Sequence, residues 1–138
     1  MADESIREYY LEKDNNCAET TLHIINDKYG LNLSAEDFKL VGAFGAGFGC
    51  GITCGALCGA MAALGKMTIT GRAHGTEGFK DLCADYVKAF REKMTYTDCE
   101  KIKEMNFRED GTRCICTVEG NAELFDEFVK AHGIVQEG

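Results

Sequence analysis

Eight cysteines are the residues of this sequence best suited to chemistry, since no Ser-His-Asp arrangement or pair of carboxylates stands out. Cys50, Cys54 and Cys58 follow one another at four-residue spacing, and each precedes a glycine in GFGCGITCGALCGAMAALG. Residues four apart share one face of a helix, so this spacing predicts a line of thiols. Thiolates attack disulfides and bind metals, and the segment is therefore a candidate redox or metal-binding site.

The glycines of the same segment predict a surface without side chains. Gly51, Gly55 and Gly59 would form a groove against which another backbone or a flat cofactor could lie. Each interior glycine costs a helix roughly 0.5–1 kcal/mol, so a sequence that repeats the feature is expected to use the room. These three glycines are our candidate cofactor-binding positions.

Several cysteines also lie where helices are expected to begin. Cys17 follows the cap residue Asn16, Cys99 lies just inside an expected cap at Thr97, and Cys54 lies near the start of the glycine-rich helix. The N-terminus of a helix stabilises a thiolate and lowers the thiol pKa from about 8.5 toward 7. This position favours a functional role for these cysteines.

Spacing also limits which cysteines can pair. Side chains four apart on a helix have Cβ atoms about 5–6 Å apart, whereas a disulfide needs about 3.5–4.5 Å. We therefore expect Cys50, Cys54 and Cys58 to pair with partners elsewhere or to share a metal. Cys114 and Cys116 form a CxC pair that could ligate a metal. We expect Cys83 to pack in the apolar core as a small hydrophobic residue.

Composition narrows the functional classes. The chain of 138 residues is short enough for one domain, and its net charge of −8 argues against nucleic acid and anionic membrane surfaces. The start MADESIREYY has no signal pattern, so we expect a cytoplasmic protein. Cysteines in that compartment indicate metal or redox chemistry rather than structural disulfides. Residues 40–65 lack charge, but eight glycines there favour a buried core helix over a membrane span.

The elements that must position the cysteines are helices, because no strand pattern persists beyond a few residues. We predict an all-α fold, a compact single-domain bundle of about six to seven helices around a buried Gly/Cys-rich central helix. Capping boxes are expected at Ser34–Asp37 and Thr97–Glu100. The expected helices are SIREYYLEKD, CAETTLHIINDKYG, AEDFKLVGAF, Gly51 to Leu64, Glu77 to Met94, CEKIKEMN and TVEGNAELFDEFVKAHG.

With these residues described, the chain resembles a family of redox-active proteins named after its cysteine pattern, C-GCAxxG-C-C. The likeness runs from NNCAETTL through GAFGAGFGCGITCGALCGAMAALG and CEKI to RCICTVEGNAELF, roughly residues 10 to 130. The resemblance implies that Cys17, Cys54, Cys99 and Cys114 are the family's cysteines. It also implies that Gly55, Ala56 and Gly59 are its small positions. Cys50, Cys58, Cys83 and Cys116 are additional.

Three functional hypotheses follow. In the first, Cys17, Cys54, Cys99 and Cys114 gather and exchange thiols, disulfides or electrons, as a thiol-dependent oxidoreductase would, with a redox partner protein or a small thiol. In the second, the same four cysteines hold zinc or an iron–sulfur cluster, with Cys50, Cys58 and Cys116 as further candidate ligands. In the third, the glycine groove binds a partner helix or small ligand without catalysis. A homo-oligomer is compatible with each.

Overall fold

Residues 2–135 are described in the computed structural model, and in that range the chain is all-α. Two isolated bridges are the only β pairing among these residues. None of the helices in this range combines the length and apolar character needed to cross a bilayer. The seven α-helices are α1 (Ala2–Arg7), α2 (Cys17–Tyr29), α3 (Ala35–Phe38), α4 (Gly55–Thr68), α5 (Phe79–Met94), α6 (Cys99–Asn106) and α7 (Ile115–Ala131). Short helical turns extend α1 over Glu8–Glu12 and α3 over Lys39–Phe44.

The caps of α2 and α3 confirm the helix starts predicted from sequence. The Asn16 side chain accepts from the backbone N–H of Glu19, whose carboxylate accepts from the backbone N–H of Asn16. Ser34 and Asp37 make the same reciprocal pair at the start of α3. Such boxes satisfy backbone donors that a helix leaves without partners at its first turn.

The capping box expected at Thr97–Glu100 is wrong. Helix α6 begins one residue later than that box requires, with Asp98 as its cap and no side-chain capping bond. The backbone N–H of Cys99 donates instead to the carbonyl of Ile52 at 2.5 Å. A tertiary bond to the glycine-rich segment thus satisfies a donor that a local cap would have satisfied.

The central helix begins four residues later than the predicted Gly51, so the line of three thiols is wrong. Residues 47–51 form a tight turn in which Phe48 has a φ of 62° and Gly49 a φ of 76°. Glycine adopts this left-handed backbone at little cost, and the turn therefore interrupts the helix. Cys54 caps α4, whereas Cys50 precedes it and is exposed.

Helix α4 is nevertheless the buried centre of the described fold, as predicted. Half of its residues are buried, and its apolar side chains join those of α2, α5 and α7 in the larger of two apolar clusters. The smaller cluster joins α1, α2 and α7 around Ile6, Tyr10 and Ile115. Cys17 packs against both clusters, which places it where the two halves of the core meet.

Helices α4, α5 and α7 are also joined by a buried polar contact. The fully buried Asn121 of α7 accepts from the Tyr86 hydroxyl at 2.5 Å and donates to the Ala56 carbonyl at 2.8 Å. A buried amide without partners would cost several kcal/mol, so satisfying both ends fixes the three helices in one arrangement.

Replacing Thr20 with valine should raise the free energy of unfolding by about 1 kcal/mol. The residue is fully buried on α2, and its hydroxyl has no hydrogen-bond partner among the described residues. Thr21→Val is the matched control. The Thr21 hydroxyl donates to the Cys17 carbonyl at 2.8 Å, so losing this hydrogen bond should lower the free energy of unfolding. Urea unfolding measures both, and equal destabilisation by the two changes would contradict the assignment.

Candidate functional site

Three cysteines that are far apart in sequence line one cavity of about 150 Å³. They are Cys17, Cys99 and Cys114, which we call the thiol cluster. Cys99 is buried, and the other two are partly accessible. All three are free thiols. The remaining lining residues are Tyr10, Asn16, Ala46, Lys103, Phe107 and Arg113.

Cys17 is held by the start of α2 and by the glycines of the central helix. It is the first residue of α2, and the Asn16 side chain that caps this helix also donates to the Gly42 carbonyl at 2.9 Å. The Cys17 sulfur lies directly over Gly55, where a Cβ atom would stand 2.5 Å from it. Only glycine at this position leaves room for the thiol.

Cys99 is positioned in a similar way at the start of α6. Its backbone bond to Ile52 ties α6 to the turn over residues 47–51. Gly47 of that turn has a φ of 59°, and a Cβ there would lie 2.5 Å from the Cys99 Cβ. A side chain at residue 47 would therefore strain the backbone and displace the cysteine.

Cys114 caps α7 and is fixed by Tyr10. The backbone N–H of Cys114 donates to the Tyr10 hydroxyl at 3.2 Å. The neighbouring Arg113 donates to the Tyr10 carbonyl at 2.6 Å, and its guanidinium lies 4.2 Å from the centre of the tyrosine ring. Tyr10 thus holds both residues at the same cavity.

Cys54 and Cys58 lie behind the thiol cluster, on the central helix. Cys54 is buried, and its backbone N–H donates to the Thr97 carbonyl at 2.8 Å. The pKa of Cys54 is raised to about 12, first by burial and then by the Cys17 and Cys99 thiolates, against backbone N–H groups that lower it. Burial and the Cys17 thiolate likewise raise the pKa of Cys58 to about 11. Both groups are therefore electrostatically coupled to Cys17.

The expectation that helix starts lower the thiol pKa values is wrong for Cys54 and Cys99, whose pKa values are raised. Burial raises the pKa of Cys114 to about 11, with the Cys17 and Cys99 thiolates adding to the effect. The pKa of Cys99 is also raised, first by burial and then by the Cys17 thiolate. Desolvation disfavours the charged form, and here it outweighs the helix ends. Burial thus keeps Cys99 and Cys114 protonated, and negative charge on a neighbouring sulfur adds to the effect.

Stability should fall as the pH rises above about 8.5, the usual thiol pKa. In the unfolded chain Cys54 ionises there, whereas in the folded protein it keeps its proton until its raised pKa of about 12. The unfolded state then binds fewer protons, which costs about 1.4 kcal/mol per pH unit for one thiol. Urea unfolding near pH 8 and near pH 10, with a non-thiol reductant, measures the loss. The Cys54→Ala variant should lose less, and an equal loss would contradict the assignment.

The remaining cysteines lie outside the cluster. Cys50 is exposed at the edge of a separate concavity of about 400 Å³ that also contains Tyr96 and Glu100. Cys116 packs against the smaller apolar cluster. Burial alone raises the pKa of Cys83, and no other thiol affects it, in agreement with a place apart on α5.

The glycine groove is filled by α2. A Cβ on Gly55 or Gly59 would collide with Cys17 or with the Ala18 carbonyl, the latter at 2.6 Å. Of the two occupants considered from sequence, the backbone of another helix is therefore the one present. Gly51 lies outside α4 and faces Glu100 instead.

The described side chains include no group that is arranged to bind a metal ion. Within residues 2–135, no group of three or more His, Cys, Asp or Glu side chains is arranged to hold a metal ion. Zinc or iron–sulfur binding by Cys17, Cys54, Cys99 and Cys114 would thus require the side chains to rearrange.

Sequence reasoning missed the charged and aromatic residues of the cavity. Lys103 lies one helical turn after Cys99, and Arg113 directly precedes Cys114. The sequence contains both signals. Residues four apart share a helix face, which relates Lys103 to Cys99, and Arg113 is the direct neighbour of Cys114. No spacing in the sequence relates Tyr10 to Cys114, because the two residues are 104 positions apart.

The structure is that of a helical protein in which three free cysteines line one cavity. The family described as "Putative redox-active protein (C_GCAxxG_C_C)" matches residues 15–128, which is more than half of the chain. The chain belongs to this family, as its cysteine pattern predicted. No curated protein and no solved structure matches it.

Proposed function

We propose that this protein is a thiol-dependent oxidoreductase that cycles between a reduced dithiol and an internal disulfide. The observation that carries the proposal is the meeting of Cys17, Cys99 and Cys114 at one cavity, from three separate segments. Cysteines that only fill the core need not line a common cavity, whereas thiol–disulfide exchange with a substrate requires a cavity that the substrate can enter. We also propose that the chain is a single domain with one redox site, and that it works in the reducing cytoplasm.

Cys17 is the attacking residue in this scheme. It is partly accessible, begins a thirteen-residue helix, and its thiolate raises the pKa values of Cys99 and Cys114. A helix N-terminus favours negative charge, whereas two neighbouring thiolates repel each other. The arrangement therefore favours one thiolate in the cluster at a time.

The exchange conserves atoms and electrons. The Cys17 thiolate attacks one sulfur of a substrate disulfide, the substrate S–S bond breaks, and half of the substrate leaves as a thiolate. A second cluster thiol, Cys99 or Cys114, loses its proton to water and attacks the Cys17 sulfur. The remaining half leaves as a thiolate, so two electrons have passed from the protein to the substrate.

The test is a redox titration of protein purified without oxygen. In dithiothreitol buffers of graded potential, we expect two of the eight thiols to be lost and regained together in one two-electron step. Metal content is measured on the same samples. Eight thiols that stay unreactive would overturn the proposal, as would stoichiometric zinc or iron that blocks the oxidation.

A further inference from the structure

Among the residues whose side chains the structure describes, the cavity of the thiol cluster is lined by two cations and by no carboxylate. Lys103 and Arg113 are the charged residues of its wall, in a chain whose net charge is −8. A local charge opposite to that of the whole protein selects among small charged molecules at short range. The wall of the cavity is therefore positively charged, whereas the protein as a whole is negatively charged.

The charge of Lys103 is available at the cavity. Its ammonium lies 5.4 Å from the centre of the Phe107 ring, and no carboxylate of residues 4–135 lies within ion-pair distance of it. Its charge reaches the sulfurs, since it lowers the pKa values of Cys99 and Cys114 against the larger effect of burial.

Arg113 is only partly neutralised. Its guanidinium lies 3.7 Å from the Asp14 carboxylate, but the Asp14 side chain is 86% exposed, so water screens that pair. Glu100 also acts on the cluster, since it raises the pKa of Cys99, but it faces Gly51 and the other concavity. Neither carboxylate lines the cavity.

The size and shape of the cavity favour a small molecule. Its volume of about 150 Å³ is enough for part of a small molecule and too small for a folded segment. Ala46, Lys103 and Phe107 are exposed at its mouth, whereas Tyr10 and Cys99 are buried below. One half of a small disulfide could thus enter and meet Cys17.

Resting on the proposed function, we propose that the substrate is a small disulfide with carboxylate groups, which bind to Lys103 and Arg113. The Cys17 thiolate attacks the nearer sulfur, and the carboxylate-bearing half leaves as a thiolate. The second half leaves when another cluster thiol closes the protein disulfide, and two electrons are transferred as above.

The test compares three small disulfides of similar size as oxidants of the reduced protein. They are dithiodipropionate, which is anionic, dithiodiethanol, which is neutral, and cystamine, which is cationic. Each rate is divided by the rate for a free uncharged thiol. We expect dithiodipropionate to exceed cystamine about tenfold at low salt, with the ratio falling as salt is added.

The net charge of −8 predicts the reverse order, so equal rates or a faster cystamine reaction would overturn the inference. Those results would leave the proposed function standing, because the protein would still be oxidised. Failure of all three disulfides to oxidise the protein would overturn both.

Two lysines of α6 provide a matched pair of variants. Lys103→Gln should reduce the preference for dithiodipropionate about threefold or more, and Lys103→Arg should keep it. Lys101→Gln is the control, because the Lys101 ammonium lies over the Tyr96 ring, outside the cavity. Equal losses in the two glutamine variants would show that the surface as a whole sets the preference, and would overturn the inference.

Discussion

Replacing Gly55 with alanine should lower the free energy of unfolding by about 3 kcal/mol and slow disulfide formation. The new Cβ would stand 2.5 Å from the Cys17 sulfur and 2.8 Å from the Phe44 carbonyl oxygen. Backbone cannot move aside cheaply, so Cys17 and the start of α2 must shift. Urea unfolding gives the stability, and the rate of thiol loss on oxidation gives the position of Cys17.

Gly65→Ala is the control on the same helix. Its Cβ would meet the Ile69 side chain at 3.5 Å and the Phe79 ring at 4.0 Å, both ordinary contacts. Alanine is a better helix former than glycine, so this variant should be more stable by about 0.5–1 kcal/mol and oxidise at the normal rate. Equal behaviour of the two variants would contradict the packing of α2 on α4.

Replacing Cys17 with serine should abolish the reversible loss of two thiols. Without its sulfur the cluster has no attacking thiolate, and the remaining members, Cys99 and Cys114, have raised pKa values. Any oxidation should stop at a mixed disulfide with the oxidant. The thiol count and the intact mass after oxidation measure this directly.

Cys83→Ser is the matched control for that variant. Cys83 is a partly buried cysteine that no other thiol affects, and its replacement should leave the two-thiol step unchanged. Circular dichroism shows whether each variant is folded. If Cys17→Ser is folded and still closes a disulfide at the normal rate, Cys17 is not the attacking residue.

Much of the fold follows from local signals in the sequence. The capping boxes at Asn16–Glu19 and Ser34–Asp37 begin helices where the structure begins them, and Gly30 ends α2 in the left-handed conformation. The family pattern implied four cysteines, of which Cys17, Cys99 and Cys114 line the cavity and Cys54 does not. Each signal spans a few residues, and this is why it could be read without the fold.

The errors lie where tertiary contacts decide. The glycines of residues 47–51 allow a helix and a turn alike, and the bond from Cys99 to Ile52 belongs to the turn. The same bond replaces the cap expected at Thr97. The thiol pKa values depend on burial, which no spacing reveals, so the sequence suggested the wrong direction for Cys54 and Cys99.

The most direct test of the thiol cluster is peptide mapping of the oxidised protein by mass spectrometry. The protein is oxidised to the loss of two thiols, and the remaining thiols are alkylated before digestion. The account predicts a disulfide between Cys17 and either Cys99 or Cys114. A free Cys17, or a disulfide built from Cys50, Cys83 or Cys116, would contradict it.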